Sequence, residues 1–490
     1  MARYTLDMDK YAALARQAAA EGCVLLKNDR ETLPIVKGTK VSVFGRIAFS
    51  YYKSGTGSGG LVNTKYVTGI LDALKGCEDV CLNTELEEIY AAWIKAHPFN
   101  KGAGWGQEPW CQEEMPLTDE IVKAAAADSE LAVVVIGRTA GEDQDAKAEA
   151  GSYLLTEIEE DMLSKVCKAF DKVAVILNVG NIIDMKWVEA YRPTAVLYAW
   201  QGGQEGGNGV LDVLLGNVSP CGKLADTIAR NIEDYPSTKN FGGEKEDIYQ
   251  EDIYVGYRYF ETFAKDKVLY PFGYGLSYTT FDTQIISFSV EADEICVDVS
   301  VRNTGTYHGK EVIQLYVGAP QGALGKPSRE LKAYEKTDDL APGHEELISF
   351  TVPKVAFASY DDSGCTGHKS CYVLEAGDYE IYVGSDVRSA ALAGIFEVES
   401  TIVTQQLEEA LAPVRAFDRF KPVAEGEDFT VGYEAVPLRG ISPMDKRAAH
   451  MPKELTYTGD QGYKLADVYD KKIDMDTFIA QLDDEDLTCI

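Results

Sequence analysis

Three apolar, β-branched runs constrain this chain more than any other feature: Leu131-Ala-Val-Val-Val-Ile-Gly137, Val173-Ala-Val-Ile-Leu-Asn-Val-Gly180 and Ala195-Val-Leu-Tyr-Ala-Trp200. Short continuous runs of this kind read as strands buried on both faces. Lys40-Val-Ser-Val-Phe-Gly45 is a fourth. Helical patterns lie between them. The clearest starts at Thr156, with Glu159 three residues on as a capping box and Ile158, Met162, Val166 and Phe170 on one stripe. Such strands alternating with helices predict a parallel, doubly wound α/β sandwich over residues 1–282.

The pattern changes near residue 283. From there to residue 400, alternating strands take over: Cys296–Arg302, Glu311–Val317, Glu346–Val352 and Tyr379–Val383. Turn signals at Asn303-Thr-Gly305, Pro342-Gly343 and Ala376-Gly-Asp378 separate them, which predicts an all-β sandwich of immunoglobulin-like size. Residues 401–490 differ again. The stretch Pro422–Pro452 reads as a polar, irregular linker or arm, and a helical pattern returns with Phe478, Ile479 and Leu482. A chain of 490 residues is long enough for two to four domains.

Charge narrows the partners. A formal net charge of −32 repels phosphate backbones and anionic lipid, so neither nucleic acid nor a membrane surface is expected. No apolar run is long enough to span a bilayer, and the N-terminus lacks the apolar core of a signal peptide. Ten scattered cysteines, several in apolar stretches, read as reduced thiols of a cytoplasmic protein.

Ligands of open α/β sheets collect beyond the carboxyl ends of the strands. Three long or glycine-rich loops leave such ends: Tyr51–Gly60, Gly137–Ala146 and Gln201–Asn208. Glu142 sits in the second of these, beside Asp143, Asp145 and Lys147. By residue type alone it is as well read as a solvated carboxylate; its place at the sheet edge gives it a functional reading. The glycine-rich loop at 55–60 lacks both the P-loop ending and the dinucleotide spacing, so a nucleotide-dependent enzyme rests only on the sheet type. Cys365, His368 and Cys371 lack a fourth ligand, and no metal or other cofactor is expected.

A resemblance sharpens this reading. Ala15–Asn28 with Leu33-Pro34, Trp200–Gly206 with Leu211–Gly216, Pro220–Leu224, Glu251–Phe260 and Tyr270–Tyr278 resemble the α/β-sandwich domain of family-three glycoside hydrolases. Val301–Gly305, Gly309–Val317, Arg329–Lys332 and Leu340–Gly343 resemble that family's fibronectin-type-III-like β-sandwich. The resemblance implies a retaining exo-β-glycosidase, most simply a β-glucosidase, acting on terminal β-linked sugars of oligosaccharides or of aryl or alkyl glycosides. In such enzymes an aspartate nucleophile comes from a (β/α)8 barrel and an acid/base glutamate from the α/β sandwich. Gly141-Glu142 fills the latter position, and Ser58 in the Gly-Thr-Gly-Ser-Gly loop fills a position that contacts the terminal sugar. The order here is that of the circularly permuted members, in which the barrel comes last; residues 464–490 resemble its lead-in, and no nucleophile segment follows. The expectation is therefore an incomplete enzyme, inactive alone, that needs a barrel polypeptide or an association between copies. A non-catalytic carbohydrate-binding or scaffold protein is the alternative.

Overall fold

The computed structural model describes residues 6–60, 62–142, 144–426 and 428–489. Its first sheet has six strands: β1 (Val24–Asn28), β2 (Lys40–Phe44), β3 (Cys81–Leu82), β4 (Leu131–Arg138), β5 (Val173–Val179) and β6 (Ala195–Tyr198). They lie in the order β1-β6-β5-β4-β2-β3. Strands β2 to β6 pair in parallel, as the continuous apolar runs predict. Strand β1 departs from the expected all-parallel sheet: it runs antiparallel to β6, with Val24 opposite Tyr198 and Asn28 opposite Ala195. Five residues ending in Lys-Asn give no period to read, yet Val24, Leu25 and Leu26 are fully or almost fully buried.

Alternate residues of the central strands feed two cores. Ala132, Val134 and Ile136 of β4 and Val175 and Leu177 of β5 face one side. Helices α3 (Thr84–Ala96), α4 (Asp119–Asp128) and α5 (Glu157–Ala169) cover it. Leu131, Val133, Val135, Ala174 and Ile176 face the other, under α2 (Ile70–Lys75) and α7 (Gly206–Leu214), with α1 (Met8–Gly22) packed beside α7. One further short helix, α6 (Trp187–Tyr191), precedes β6.

The capping box at the start of α5 forms as expected, but the apolar stripe is displaced. Met162, Val166 and Phe170 are buried, whereas Ile158 is exposed and Glu159 takes the inward position. The reason is an ion pair described below.

After a small hairpin of β7 (Ile228–Ala229) and β8 (Val268–Tyr270), with α8 (Tyr257–Phe263) between, the chain turns all-β. Strands β9 (Phe281–Val290), β10 (Glu294–Asn303) and β13 (Glu345–Pro353) form one sheet. Strands β11 (Val312–Gly318), β12 (Glu330–Lys336), β16 (Gly377–Gly384) and β17 (Ala391–Val398) form the other. Their inner faces close on Val297, Val299, Ile313, Leu315, Tyr379 and Ile381. Strands β14 (Ser359–Asp361), β15 (Cys371–Leu374) and β18 (Ile402–Gln406) add a small flanking sheet.

The reading of Pro422–Pro452 as irregular needs correction. Its first part is one arm of a β-ribbon, β19 (Asp418–Glu425) paired with β20 (Asp428–Ala435). Phe420 packs near Tyr259, and Arg419 pairs with Asp252 at 3.2 Å, Asp362 at 2.7 Å and Glu434 at 2.9 Å. Tertiary partners far away in sequence, not local periodicity, hold these strands.

The ribbon (Phe417–Val436) and the residues up to Glu408 make one compact unit. Glu409–Ala416 and the residues from Pro437 on make a second. The second holds four short helices, α9 (Pro443–Ala449), α10 (Leu465–Tyr469), α11 (Met475–Ile479) and α12 (Asp484–Cys489). Buried Gln481 joins its turns by accepting from the Gln461 and Tyr463 amides at 3.1 and 3.0 Å. No helix among the described residues is long and apolar enough to cross a membrane. None of the ten cysteines forms a disulfide.

Candidate active site

Parallel strands deliver their following loops to one edge of the sheet, and the three loops singled out in the sequence meet there. Loops 51–60 and 137–146 touch directly: Thr56 bridges Gly141, and the Thr56 amide donates to Ala140 O at 3.1 Å. The third loop joins them. Gln201 Nε2 donates to Arg138 O at 3.2 Å, and the Gly203 amide to Lys53 O at 2.9 Å. Asn178, fully buried at the end of β5, pins two loops at once. Its Oδ1 accepts from the Tyr52 amide at 2.9 Å, while Nδ2 donates to Tyr52 O at 2.9 Å and Trp200 O at 2.7 Å.

Glu142 stands at the meeting point, exposed, with Oε2 held twice by Ser58. The Ser58 amide donates at 3.0 Å and the Ser58 hydroxyl at 2.7 Å. These two hydrogen bonds favour the charged form and hold the Glu142 carboxyl below its ordinary range, against a slight opposing effect of burial. Gly57 makes the approach possible: its φ is +81°, and a Cβ there would fall 2.5 Å from Glu142 Cβ. Asp143 lies outside the described residues.

The neck of the Glu142 loop is closed by a buried ion pair. Arg138 reaches both oxygens of Glu159 at 2.7 Å, with side chains only 2% and 7% exposed. The same guanidinium donates to Gly137 O, Ser152 O and Leu154 O at 2.7, 3.0 and 3.2 Å. Glu159 Oε2 also accepts from the Thr156 amide at 2.8 Å, so one pair ties the loop's start to its end and to the cap of α5.

A fourth loop, residues 97–112, was not anticipated. The Thr139 amide donates to Trp110 O at 2.8 Å, and a Cβ on Gly106 would lie 3.4 Å from Glu142 O. The neighbouring Trp105 is 51% exposed. The available signal was Lys101-Gly-Ala-Gly-Trp-Gly106, a glycine-rich segment presenting an indole. Asn178 carried a signal too, as the one polar side chain inside an otherwise apolar strand run.

Cys365 and Cys371 belong elsewhere, in a loop organised by buried Asp361, which accepts from the amides of Ser363, Gly364, Cys365 and Thr366. Among the described residues, no group of three or more His, Cys, Asp or Glu side chains is placed to hold a metal ion.

Residues 23–278 match the glycosyl hydrolase family 3 C-terminal domain, and residues 311–387 match the fibronectin type III-like domain. A beta-glucosidase of Ruminococcus albus is 51% identical over 487 residues, covering 99% of this chain and 50% of that protein. Beta-glucosidase A of Butyrivibrio fibrisolvens is 35% identical, over 98% of this chain and 64% of that protein. Among solved structures, a beta-glucosidase from Paenibacillus barengoltzii superposes with a TM-score of 0.94 at 50% identity, covering 99% of this chain and 54% of that one. Beta-glucosidase 3B from Thermotoga neapolitana, in complex with α-D-glucose, gives 0.74 at 36% identity, with 81% and 55% covered. The chain thus spans about half the length of most of these relatives.

Proposed function

Because the chain belongs to glycosyl hydrolase family 3, we propose that it is the acid/base half of a retaining exo-β-glycosidase, most simply a β-glucosidase, with Glu142 as the acid/base. The observation that carries this reading is the position of Glu142: an exposed carboxylate held by Ser58 at the carboxyl edge of the parallel strands, where four loops converge. On this reading, residues 1–282 bear the acid/base, residues 283–400 buttress them, and residues 401–490 lead toward a barrel domain that bears the nucleophile.

In the first step, a carboxylate nucleophile from that barrel attacks the anomeric carbon while Glu142 gives its proton to the departing glycosidic oxygen. In the second, Glu142 takes a proton from water, and that water displaces the nucleophile from the anomeric carbon. Retention needs the two carboxyl groups about 5–5.5 Å apart. Ser58 keeps lone pairs free to accept from a hydroxyl of the terminal sugar, even while donating to Glu142. The loop bearing Trp105 forms a wall on the side of the leaving group. The ten unpaired cysteines support a cytoplasmic setting.

The test is leaving-group dependence. A Glu142→Gln chain, complemented with a barrel from a permuted relative, should keep near wild-type kcat/KM, which reports the first step, on glucosides of very acidic phenols, while kcat falls because water is no longer activated. It should lose at least about 100-fold on alkyl glucosides, which need a protonated leaving group. Equal losses on both classes would remove Glu142 from the acid role. No hydrolysis by a demonstrably assembled wild-type mixture would favour the non-catalytic reading.

A further inference from the structure

Among the described residues, Ser58 positions the carboxylate of Glu142. Ser58 offers Oε2 two donors, a backbone amide at 3.0 Å and a hydroxyl at 2.7 Å, and both suit the charged form of the acid. The segment that brings Ser58 there is itself fixed. Thr56 is bridged to Gly141, Gly57 packs where a Cβ would strike Glu142 Cβ, and Lys53 Nζ ties the loop back through Gly60 O and Val62 O, both at 3.2 Å. Nothing in this arrangement favours a protonated Glu142, although the chemistry requires a proton there at the first step.

We propose that Ser58 is a latch on the acid/base, holding Glu142 at one position in its deprotonated form until the Ser58 hydroxyl is drawn away. This rests on the reading of Glu142 as the acid/base and adds a control to it: the resting site is set for the base half of the cycle. A sugar oxygen that accepts the Ser58 Oγ–H in place of Glu142 loosens the latch at the moment when a proton is needed. Among the described residues, the charged groups on the loops around Glu142 are Lys53, Lys101, Glu108, Arg138, Asp145, Lys147, Glu149 and Glu205, yet the downward shift of its carboxyl comes from the two Ser58 donors.

The experiment is a carboxyl titration by NMR on this chain, labelled with 13C at glutamate side chains, with the Glu142 signal assigned by its loss in Glu142→Gln. In the wild type the midpoint should lie below the ordinary glutamate value of 4.5. In Ser58→Ala it should rise toward that value, and Ser58→Thr, which keeps the hydroxyl, should restore the shift. Equal midpoints in wild type and Ser58→Ala would overturn the latch. The parallel readout is the pH profile of kcat/KM in the complemented enzyme. An acid that must be protonated loses activity as pH rises through its pKa, so releasing the latch moves the alkaline limb to higher pH. If the NMR midpoint moves and the limb does not, the latch stands and the acid/base reading fails. A uniform loss at all pH values with an unmoved NMR midpoint would reduce Ser58 to a packing residue.

Discussion

Glu159→Ala is the perturbation whose cost can be worked out most fully. The substitution removes a carboxylate that meets Arg138 through two contacts of 2.7 Å, where the side chains are 2% and 7% exposed and water cannot take its place. Breaking one side of such a pair leaves a buried charge and costs about 3–5 kcal/mol. Gly137 O, Ser152 O and Leu154 O still accept from the guanidinium, which keeps the cost within that range. With a urea slope of about 3 kcal/mol/M, the unfolding midpoint of the α/β part should fall by about 1–2 M. Because the same pair closes the loop bearing Glu142, amides between residues 139 and 156 should exchange hydrogen faster. Arg138→Met combined with Glu159→Leu should recover part of the loss, since matched apolar groups replace a buried pair at little cost. A midpoint unchanged in Glu159→Ala, with loop exchange also unchanged, would refute the assignment of this pair as the loop's clamp.

Gly57→Ala forces a side chain into a φ of +81° and to within 2.5 Å of Glu142 Cβ. The displaced carboxylate should lower kcat of the complemented enzyme on the order of 100-fold, while circular dichroism stays unchanged. Trp105→Ala removes a half-exposed ring beside the acid/base loop. It should raise KM for aryl glucosides about two- to tenfold and leave that for methyl glucoside nearly constant, as loss of a stacking contact predicts. Glu21 joins α1 to the sandwich through Lys310 at 2.8 Å and Lys336 at 3.2 Å. Burial opposes its charge, but hydrogen bonds from Lys310, Gln17 and Lys336 outweigh burial and hold its carboxyl at about 2 instead of 4.5. Its stabilisation is therefore complete above the unfolded value and is lost as pH falls toward about 2. Urea midpoints at pH about 5 and about 3 should differ more in wild type than in Glu21→Gln.

The strongly patterned parts of this fold were legible early. β4, β5 and β6 announce themselves because strands buried on both faces are continuously apolar, and sandwich strands such as β10 and β13 because their burial alternates along the strand. β1 and the ribbon β19–β20 were not, since five residues in one case and long-range ion pairs through Arg419 in the other replace any local period. Glu159 shows the limit of stripe reading: a charged residue was placed outward by polarity, and a distant Arg138 drew it in. The loop bearing Glu142 was legible from its placement beyond β4, while the choice of Glu142 within it came from the family resemblance. What the sequence could not reveal was that Ser58, 84 residues away, reaches its carboxylate, because that contact depends on how two loops meet at a sheet edge.

The central claim is that Glu142 is the acid/base of a retaining glycosidase. Its most direct test is hydrolysis of an aryl β-glucoside by the chain alone, by a separately expressed barrel from a permuted relative, and by their mixture, with wild type and Glu142→Gln side by side. The account predicts hydrolysis in the wild-type mixture, none from either half alone, and loss of alkyl-glucoside turnover in the Glu142→Gln mixture. Undiminished alkyl-glucoside turnover in the Glu142→Gln mixture would contradict it.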